Sequence, residues 1–141
     1  IVTLFSYLTP ELAVAAQLQP SDMERAATAG FTRVINNRPD SEEPGQPDSQ
    51  EMCEAAEAAG LEYHYLPVVA GNLTDANVAE YARLAEVPGC PTLMFCRSGT
   101  RCTHLWALQQ ALAGQESERI IAAAREAGYD IQGLLPRMLG Q

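Results

Sequence analysis

Short apolar runs alternate with longer amphipathic stretches along this chain, and the alternation predicts strands and helices in turn. Short runs of apolar and β-branched residues are typical of buried strands, and they occur at residues 14–17, 32–36, 63–69 and 91–95. Amphipathic stretches bounded by capping residues and glycines predict helices at residues 20–29, 49–59, 74–85 and 117–127, with a shorter one at 133–139. A further helix is expected to follow residues 96–101 and to end near residue 113.

This order of elements indicates the fold class. Strands that alternate with helices favour a mostly parallel central sheet with helices on both faces, so we expect one α/β domain over residues 1–141. Ligands of such sheets bind beyond the carboxyl ends of the strands. Three polar segments are predicted at that edge: residues 36–48, 70–75 and 96–101.

Charge and composition narrow the function classes. The net charge is −9, with nine arginines and no lysine, so binding to a nucleic-acid backbone is not expected. No apolar run approaches the length of a membrane span, and no signal-peptide pattern precedes the first strand. The chain begins at Ile1 without methionine, and we expect it to be trimmed or to be one domain of a longer polypeptide.

The four cysteines do not form a disulfide or metal-binding pattern. No two of them stand in a Cys-x-x-Cys pair, and only two histidines are present. We therefore expect free thiols, a reducing cytoplasmic location, and neither a metal nor another cofactor.

The strongest chemical signal is the segment Cys96-Arg97-Ser98-Gly99-Thr100-Arg101, which lies between a predicted strand and a predicted helix. A tight turn with a glycine aims several backbone N–H groups into one concavity. The helix that follows adds its positive end, and two arginines add fixed charge. Together these groups favour the thiolate of Cys96 over the thiol, and a thiolate is a strong nucleophile.

Two resemblances extend this interpretation. Cys96-Arg97-Ser98-Gly99-Thr100-Arg101 resembles the active loop of rhodanese sulfurtransferases. Residues 30–40, Glu43-Pro44-Gly45-Gln46-Pro47 and Tyr65-Leu66-Pro67-Val68 resemble the bacterial beta-lactamase hydrolase-like protein, phosphatase-like domain family, over about residues 4–113. The family resemblance implies a protein tyrosine phosphatase-like fold close to that of the dual-specificity phosphatases. Some family members are fused to persulfide dioxygenase domains, which implies such a domain as a fused or associated partner.

The two resemblances point to different chemistries. Four residues separate Cys96 from Arg101, one fewer than in tyrosine phosphatases, and Ala70 stands where the dual-specificity enzymes carry an aspartic acid that protonates the leaving group. We therefore expect a sulfurtransferase that carries a persulfide on Cys96, with a small anionic sulfur donor and a thiol acceptor as partners. The first alternative is a phosphatase with a phosphocysteine intermediate. The second is a non-catalytic anion-binding or redox-sensing module that uses Cys96 and Cys102.

Roles are predicted for the residues around this cysteine. Cys96 is the nucleophile and Arg101 its catalytic partner. Substrate is expected to contact the four residues between Cys96 and Arg101, which are Arg97, Ser98, Gly99 and Thr100. Arg38 is expected either to contact substrate as well or to hold the cysteine loop through a salt bridge. Asp40 and Asp75 are candidates for an acid or for support of the loop, although Asp75 also suits the first turn of a helix. Cys102 is either a resolving thiol or a small residue that fills the helix. His64, His104 and Trp106 are expected to be structural, with the alternative that His104 points toward the loop and tunes Cys96.

Overall fold

A computed structural model describes residues 4–141, and over them the predicted fold class is confirmed: one α/β domain with a mostly parallel sheet. The sheet order is β1-β2-β5-β3-β4, in which β1 and β2 are antiparallel and all other neighbours are parallel. The strands are β1 (Ser6–Thr9), β2 (Leu12–Ala15), β3 (Arg33–Asn36), β4 (Glu62–Tyr65) and β5 (Thr92–Phe95). The helices are α1 (Met23–Thr28), α2 (Ser49–Ala58), α3 (Asp75–Ala85), α4 (Thr100–Leu112), α5 (Ser117–Glu126) and α6 (Leu135–Met138).

Alternation along the central strand β5 divides the core into two layers. Leu93 and Phe95 belong to an apolar cluster with residues of α1 and α2, whereas Met94 and Cys96 belong to a cluster with residues of α3 to α6. Successive side chains of a strand point to opposite faces, so Cys96 faces the layer that contains α4. The sheet is therefore covered on both faces, as predicted.

Several element boundaries differ from the sequence prediction. The first predicted strand, residues 14–17, lies instead at Leu12–Ala15 and pairs with β1, which was not predicted. The strand predicted at 63–69 ends at Tyr65, although the N–H groups of Leu66 and Val68 still donate to the carbonyls of Asn36 and Asn37. The first predicted helix begins as a 3₁₀ turn at Pro20–Asp22, and the last one is preceded by a 3₁₀ turn at Gln132–Leu134.

Helix caps position the elements near the carboxyl edge of the sheet. The side chain of Asp48 accepts a hydrogen bond from the backbone N–H of Glu51 at 2.8 Å and begins α2. Thr74 and Asn77 form a reciprocal capping box at the start of α3. Both helices consequently begin beside the loops that surround Cys96. None of the helices described in residues 4–141 is long and apolar enough to cross a membrane.

Candidate active site

Cys96 lies at the carboxyl edge of the sheet, immediately after β5, and backbone hydrogen bonds tie the neighbouring loops together there. The N–H of Cys96 donates to the carbonyl of Ala15 at 3.4 Å, and the N–H of Gln17 donates to the carbonyl of Arg97 at 3.2 Å. On the other side, the N–H of Asn37 donates to the carbonyl of Phe95 at 2.8 Å. The cysteine loop is therefore held between the segments that follow β2 and β3.

Gly99 is required by the sharp passage from strand β5 to helix α4. It caps α4 with a φ of +91°, a conformation that glycine adopts readily and other residues rarely do. A Cβ at this position would also collide with the hydroxyl of Tyr129. That hydroxyl donates to the carbonyl of Ser98 at 2.9 Å, so Tyr129 closes the loop from outside.

Cys96 is a thiolate near neutral pH. The thiol of Cys102 donates a hydrogen bond to it, and together with backbone N–H groups of Cys102, Ser98 and Gly99 it lowers the pKa of Cys96 to about 5 against the opposing effect of burial. The N–H of Gly99 lies 3.1 Å from Sγ. Burial, followed by the neighbouring thiolate, raises the pKa of Cys102 well above its ordinary value. Cys102 is thus the protonated partner of an ionised Cys96.

The source of this acidity differs in part from the sequence prediction. We expected the nest of backbone N–H groups, the helix end and two arginines to stabilise the thiolate; backbone N–H groups do contribute, but the largest contribution comes from the thiol of Cys102. Arg101 does interact electrostatically with Cys96, although its raised pKa is due first to Glu42. Arg97 points outward and is 69% exposed, as expected for a residue that meets incoming ligands.

Arg101 is oriented by a carboxylate that sequence reasoning did not single out. Glu42 binds its guanidinium through two contacts, of 2.7 Å to Nη1 and 2.9 Å to Nη2, and the carbonyl of Val68 accepts from Nη1 at 2.8 Å. The hydrogen bonds from Arg101, together with those from Arg38, lower the pKa of Glu42 to about 2, although partial burial acts to raise it. The planar fork of Arg101 is therefore fixed in direction.

Arg38 supports this arrangement from below. Its side chain is 1% exposed, and its Nε donates to Glu42 at 2.8 Å while Nη1 donates to Gln17 at 3.0 Å. Nη2 lies 3.2 Å from Glu43, outside good hydrogen-bond alignment. The buried guanidinium of Arg38 therefore holds the Glu42 loop, which fits the expected salt bridge better than the expected contact with substrate.

The thiolate loop borders a cavity of about 520 Å³. Three arginines form its charged part, Arg97, Arg101 and Arg137, and His104 adds an imidazole. Ser98 and Thr100 contribute hydroxyls, and small or apolar residues form the opposite wall: Val69, Ala70, Gly71 and Leu73. Among the described residues that line this cavity, none is an aspartic or glutamic acid.

Neither predicted acid belongs to this cavity. The carboxylate of Asp40 accepts from the backbone N–H of Ser49 at 2.8 Å and so supports the start of α2. Asp75 is the first residue of α3, is fully exposed, and pairs with Arg137 at 3.1 Å. Asp75 therefore occupies the helix start that the sequence favoured for it, Asp40 supports α2, and neither carboxylate lines the cavity as the alternative role of an acid would require.

Arg137 was not predicted to take part in the site, and His104 was expected to be structural unless it pointed toward the loop. Burial lowers the pKa of His104, while the thiolate of Cys96 raises it and Arg137 lowers it further. His104 follows the loop by one turn of α4, which is a signal available in the sequence. Arg137 comes from α6, and only the fold brings it to the loop. Across residues 4–141, no cluster of three or more histidines, cysteines or carboxylates could hold a metal ion.

Sequence comparisons associate the chain with bacterial relatives. A family model described as "Beta-lactamase hydrolase-like protein, phosphatase-like domain" matches residues 4–113. A beta-lactamase hydrolase-like protein of Agrobacterium fabrum is 37% identical over 77% of this chain, and one of Xylella fastidiosa is 31% identical over 88%. The chain covers only 25% and 29% of the length of these two relatives.

Structural comparisons lead to phosphatase-like folds. A candidate phosphatase from Neisseria meningitidis superimposes with a TM-score of 0.87 and 33% identity over 97% of both chains. A candidate phosphatase from Shewanella putrefaciens gives a TM-score of 0.74 at 20% identity, over 97% of this chain and 85% of its own. The active form of Tk-PTP gives 0.70 at 16%, over 99% and 96%. The last two establish the likeness in fold alone.

Proposed function

The chain belongs to the family of the beta-lactamase hydrolase-like protein, phosphatase-like domain, and from this premise we propose that it is a cysteine-dependent phosphatase. Cys96 is the nucleophile of the proposed reaction, and Arg101 binds the phosphoryl oxygens. The Neisseria relative, described as a candidate phosphatase, supports the same choice over sulfur transfer.

One observation carries the proposal: an ionised sulfur lies at the base of a nest of N–H groups, beside an oriented arginine. The pKa of Cys96 of about 5 leaves the sulfur ionised at neutral pH. N–H groups aimed at one point stabilise the charge that develops on an attacked phosphoryl group. The hydrogen bonds that Arg101 donates to Glu42 and Val68 hold its guanidinium in one direction. Arg101 therefore loses little conformational entropy when it binds the phosphoryl oxygens.

The reaction has two steps. The thiolate of Cys96 attacks phosphorus, an S–P bond forms, and the bond from phosphorus to the leaving oxygen breaks. Water then attacks the phosphocysteine, the S–P bond breaks, and phosphate leaves while the thiolate is regenerated. The proton lost by the attacking water passes to the released phosphate or to solvent.

The leaving group must depart as an anion. No carboxylic acid is present among the described residues that line the cavity, and burial lowers the pKa of His104, so its imidazole is neutral at pH 7. A general acid typically contributes about 10²–10⁴-fold in rate. We therefore expect substrates whose leaving groups are stable anions, such as phenols of low pKa.

A series of aryl phosphates with leaving groups of increasing pKa tests this proposal. The kcat/KM of the parent should fall steeply along the series, and Ala70→Asp should flatten the fall by supplying a proton at the exposed wall of the cavity. Ala76→Asp is the matched control, because it adds the same charge to the exposed first turn of α3. Absence of any Cys96-dependent hydrolysis, even of the most activated ester, would contradict the proposed function.

Sulfur transfer remains a second candidate because two observations favour it. Four residues separate Cys96 from Arg101, which gives a smaller cradle than that of tyrosine phosphatases. Transfer of a sulfane sulfur between thiolates also requires no acid in the cavity. Intact mass measured after exposure to glutathione persulfide distinguishes the two: a gain of one sulfur on Cys96 without any aryl phosphate hydrolysis would favour this second function.

A further inference from the structure

We propose that the cavity beside Cys96 contains a second anion-binding position, formed by Arg137 with Arg97, and that the preferred substrates carry a second anionic group on the leaving side, as a phosphoanhydride does. The inference rests on the proposed phosphatase function and names its substrate class.

Positive charge is concentrated at this cavity. The chain has a net charge of −9 and nine arginines, yet three of these arginines line this one cavity, with His104 as a fourth nitrogen-bearing side chain. None of the described lining residues carries a carboxylate. An acidic protein that collects cations around one cavity attracts and concentrates anions there.

One arginine is sufficient to bind the reacting phosphoryl group. Arg101 interacts electrostatically with Cys96, the N–H of Gly99 lies 3.1 Å from its Sγ, and Glu42 fixes the direction of Arg101. Arg97 and Arg137 are therefore available to bind a second anionic group. Arg97 is exposed, and its nearest carboxylate, that of Glu43, is 4.0 Å away, so its guanidinium can turn toward a bound ligand.

Arg137 is held in place by its helix but forms only a weak ion pair. It lies on α6, which Met138 anchors in the core at 8% exposure. Its ion-pair partner Asp75 is fully exposed to solvent, and such pairs contribute little because water screens them. A phosphate within the cavity can therefore replace Asp75 as its partner.

The lack of a carboxylic acid among the described lining residues explains what the second anion-binding position would contribute to the reaction. When no group protonates the leaving oxygen, the reaction depends on stabilising the departing negative charge. Cations on the leaving side do this for an anionic leaving group such as phosphate. In a phosphoanhydride, Cys96 would attack the terminal phosphorus, and the bond to the bridging oxygen would break to release the remaining phosphate chain toward Arg137 and Arg97.

Binding and kinetics of tripolyphosphate test the inference. Calorimetry on the Cys96→Ser protein should give tighter binding of tripolyphosphate than of inorganic phosphate, and adding Arg137→Gln should weaken tripolyphosphate binding by about 10-fold, as expected for loss of one charge-assisted contact. Asp75→Asn should leave this binding equal or tighter. Arg119→Gln removes an equal charge from the exposed face of α5 and should change nothing beyond about twofold, which controls for net charge.

In the active protein, the ratio of kcat/KM for tripolyphosphate to that for para-nitrophenyl phosphate should fall about 10-fold in Arg137→Gln and stay constant in Arg119→Gln. Equal effects of the two arginine variants, or equal binding of phosphate and tripolyphosphate, would overturn the inference. Failure of the proposed function looks different: neither substrate would be hydrolysed, while the binding differences would persist.

Discussion

Replacement of Cys102 by alanine should make Cys96 markedly less acidic. The thiol of Cys102 is the largest of the groups that lower the pKa of Cys96 to about 5 from an ordinary 9.0. Alanine removes this donor, whereas serine keeps a hydroxyl in its place. The two variants therefore differ in one hydrogen bond to the thiolate, and both lack the buried sulfur.

The size of the effect follows from the strength of such a bond. A hydrogen bond to a charged group contributes about 1.5–3 kcal/mol, and 1.36 kcal/mol corresponds to about one pH unit. The pKa of Cys96 should therefore rise from about 5 to between about 6 and 7 in Cys102→Ala. It stays below its ordinary value because the N–H groups of Ser98 and Gly99 remain.

The ultraviolet absorbance of the thiolate, followed across pH, measures this pKa at equilibrium and does not depend on access to the buried sulfur. Subtraction of the same titration of Cys96→Ser removes the contribution of tyrosines and other cysteines. The thiolate is lost as the pH falls through the pKa, so at pH 6 the parent should be mostly ionised and Cys102→Ala should be half ionised or less. Equal midpoints for the alanine and serine variants would refute the role assigned to Cys102.

Two further substitutions test the support of the loop. Glu42→Gln should reduce kcat/KM by about 10–100-fold because Arg101 loses its charged bidentate partner and its direction, whereas Glu43→Gln, at an exposed carboxylate with only longer contacts, should have little effect; equal losses in steady-state assays would contradict this assignment. Gly99→Ala should lower the free energy of unfolding by about 1 kcal/mol or more in chemical denaturation, because alanine strains the positive φ and meets Tyr129, and unchanged stability would show that the loop adapts freely.

The parts of the fold that could be predicted from the sequence are those with local signals. Helix α3, predicted over residues 74–85, runs from Asp75 to Ala85 after a cap at Thr74, and β3 and β5 match their apolar runs within one residue. Strand β1 was missed because its alternation is weak: only Leu8 of its four residues is buried. It forms because it pairs with β2, and no local sequence pattern predicts that pairing.

The same distinction explains the site. The cysteine loop is continuous in the chain, and glycine, arginine and the helix that follows mark it. Glu42 reaches Arg101 across 59 positions from a loop without periodicity, and Arg137 arrives from the last helix. Cys102 was recognised as close in sequence, but its effect on the thiolate depends on the side-chain direction that α4 imposes. The charge environment of Cys96 therefore needed the folded structure.

Capture of the covalent intermediate tests the central claim most directly. The parent protein is mixed with an activated aryl phosphate, quenched rapidly under denaturing conditions, digested, and analysed by mass spectrometry. One added phosphoryl group is expected on the peptide that contains Cys96, together with loss of both the adduct and the hydrolysis in Cys96→Ser. Hydrolysis that persists in Cys96→Ser, or a phosphoryl group found on another residue, would contradict it.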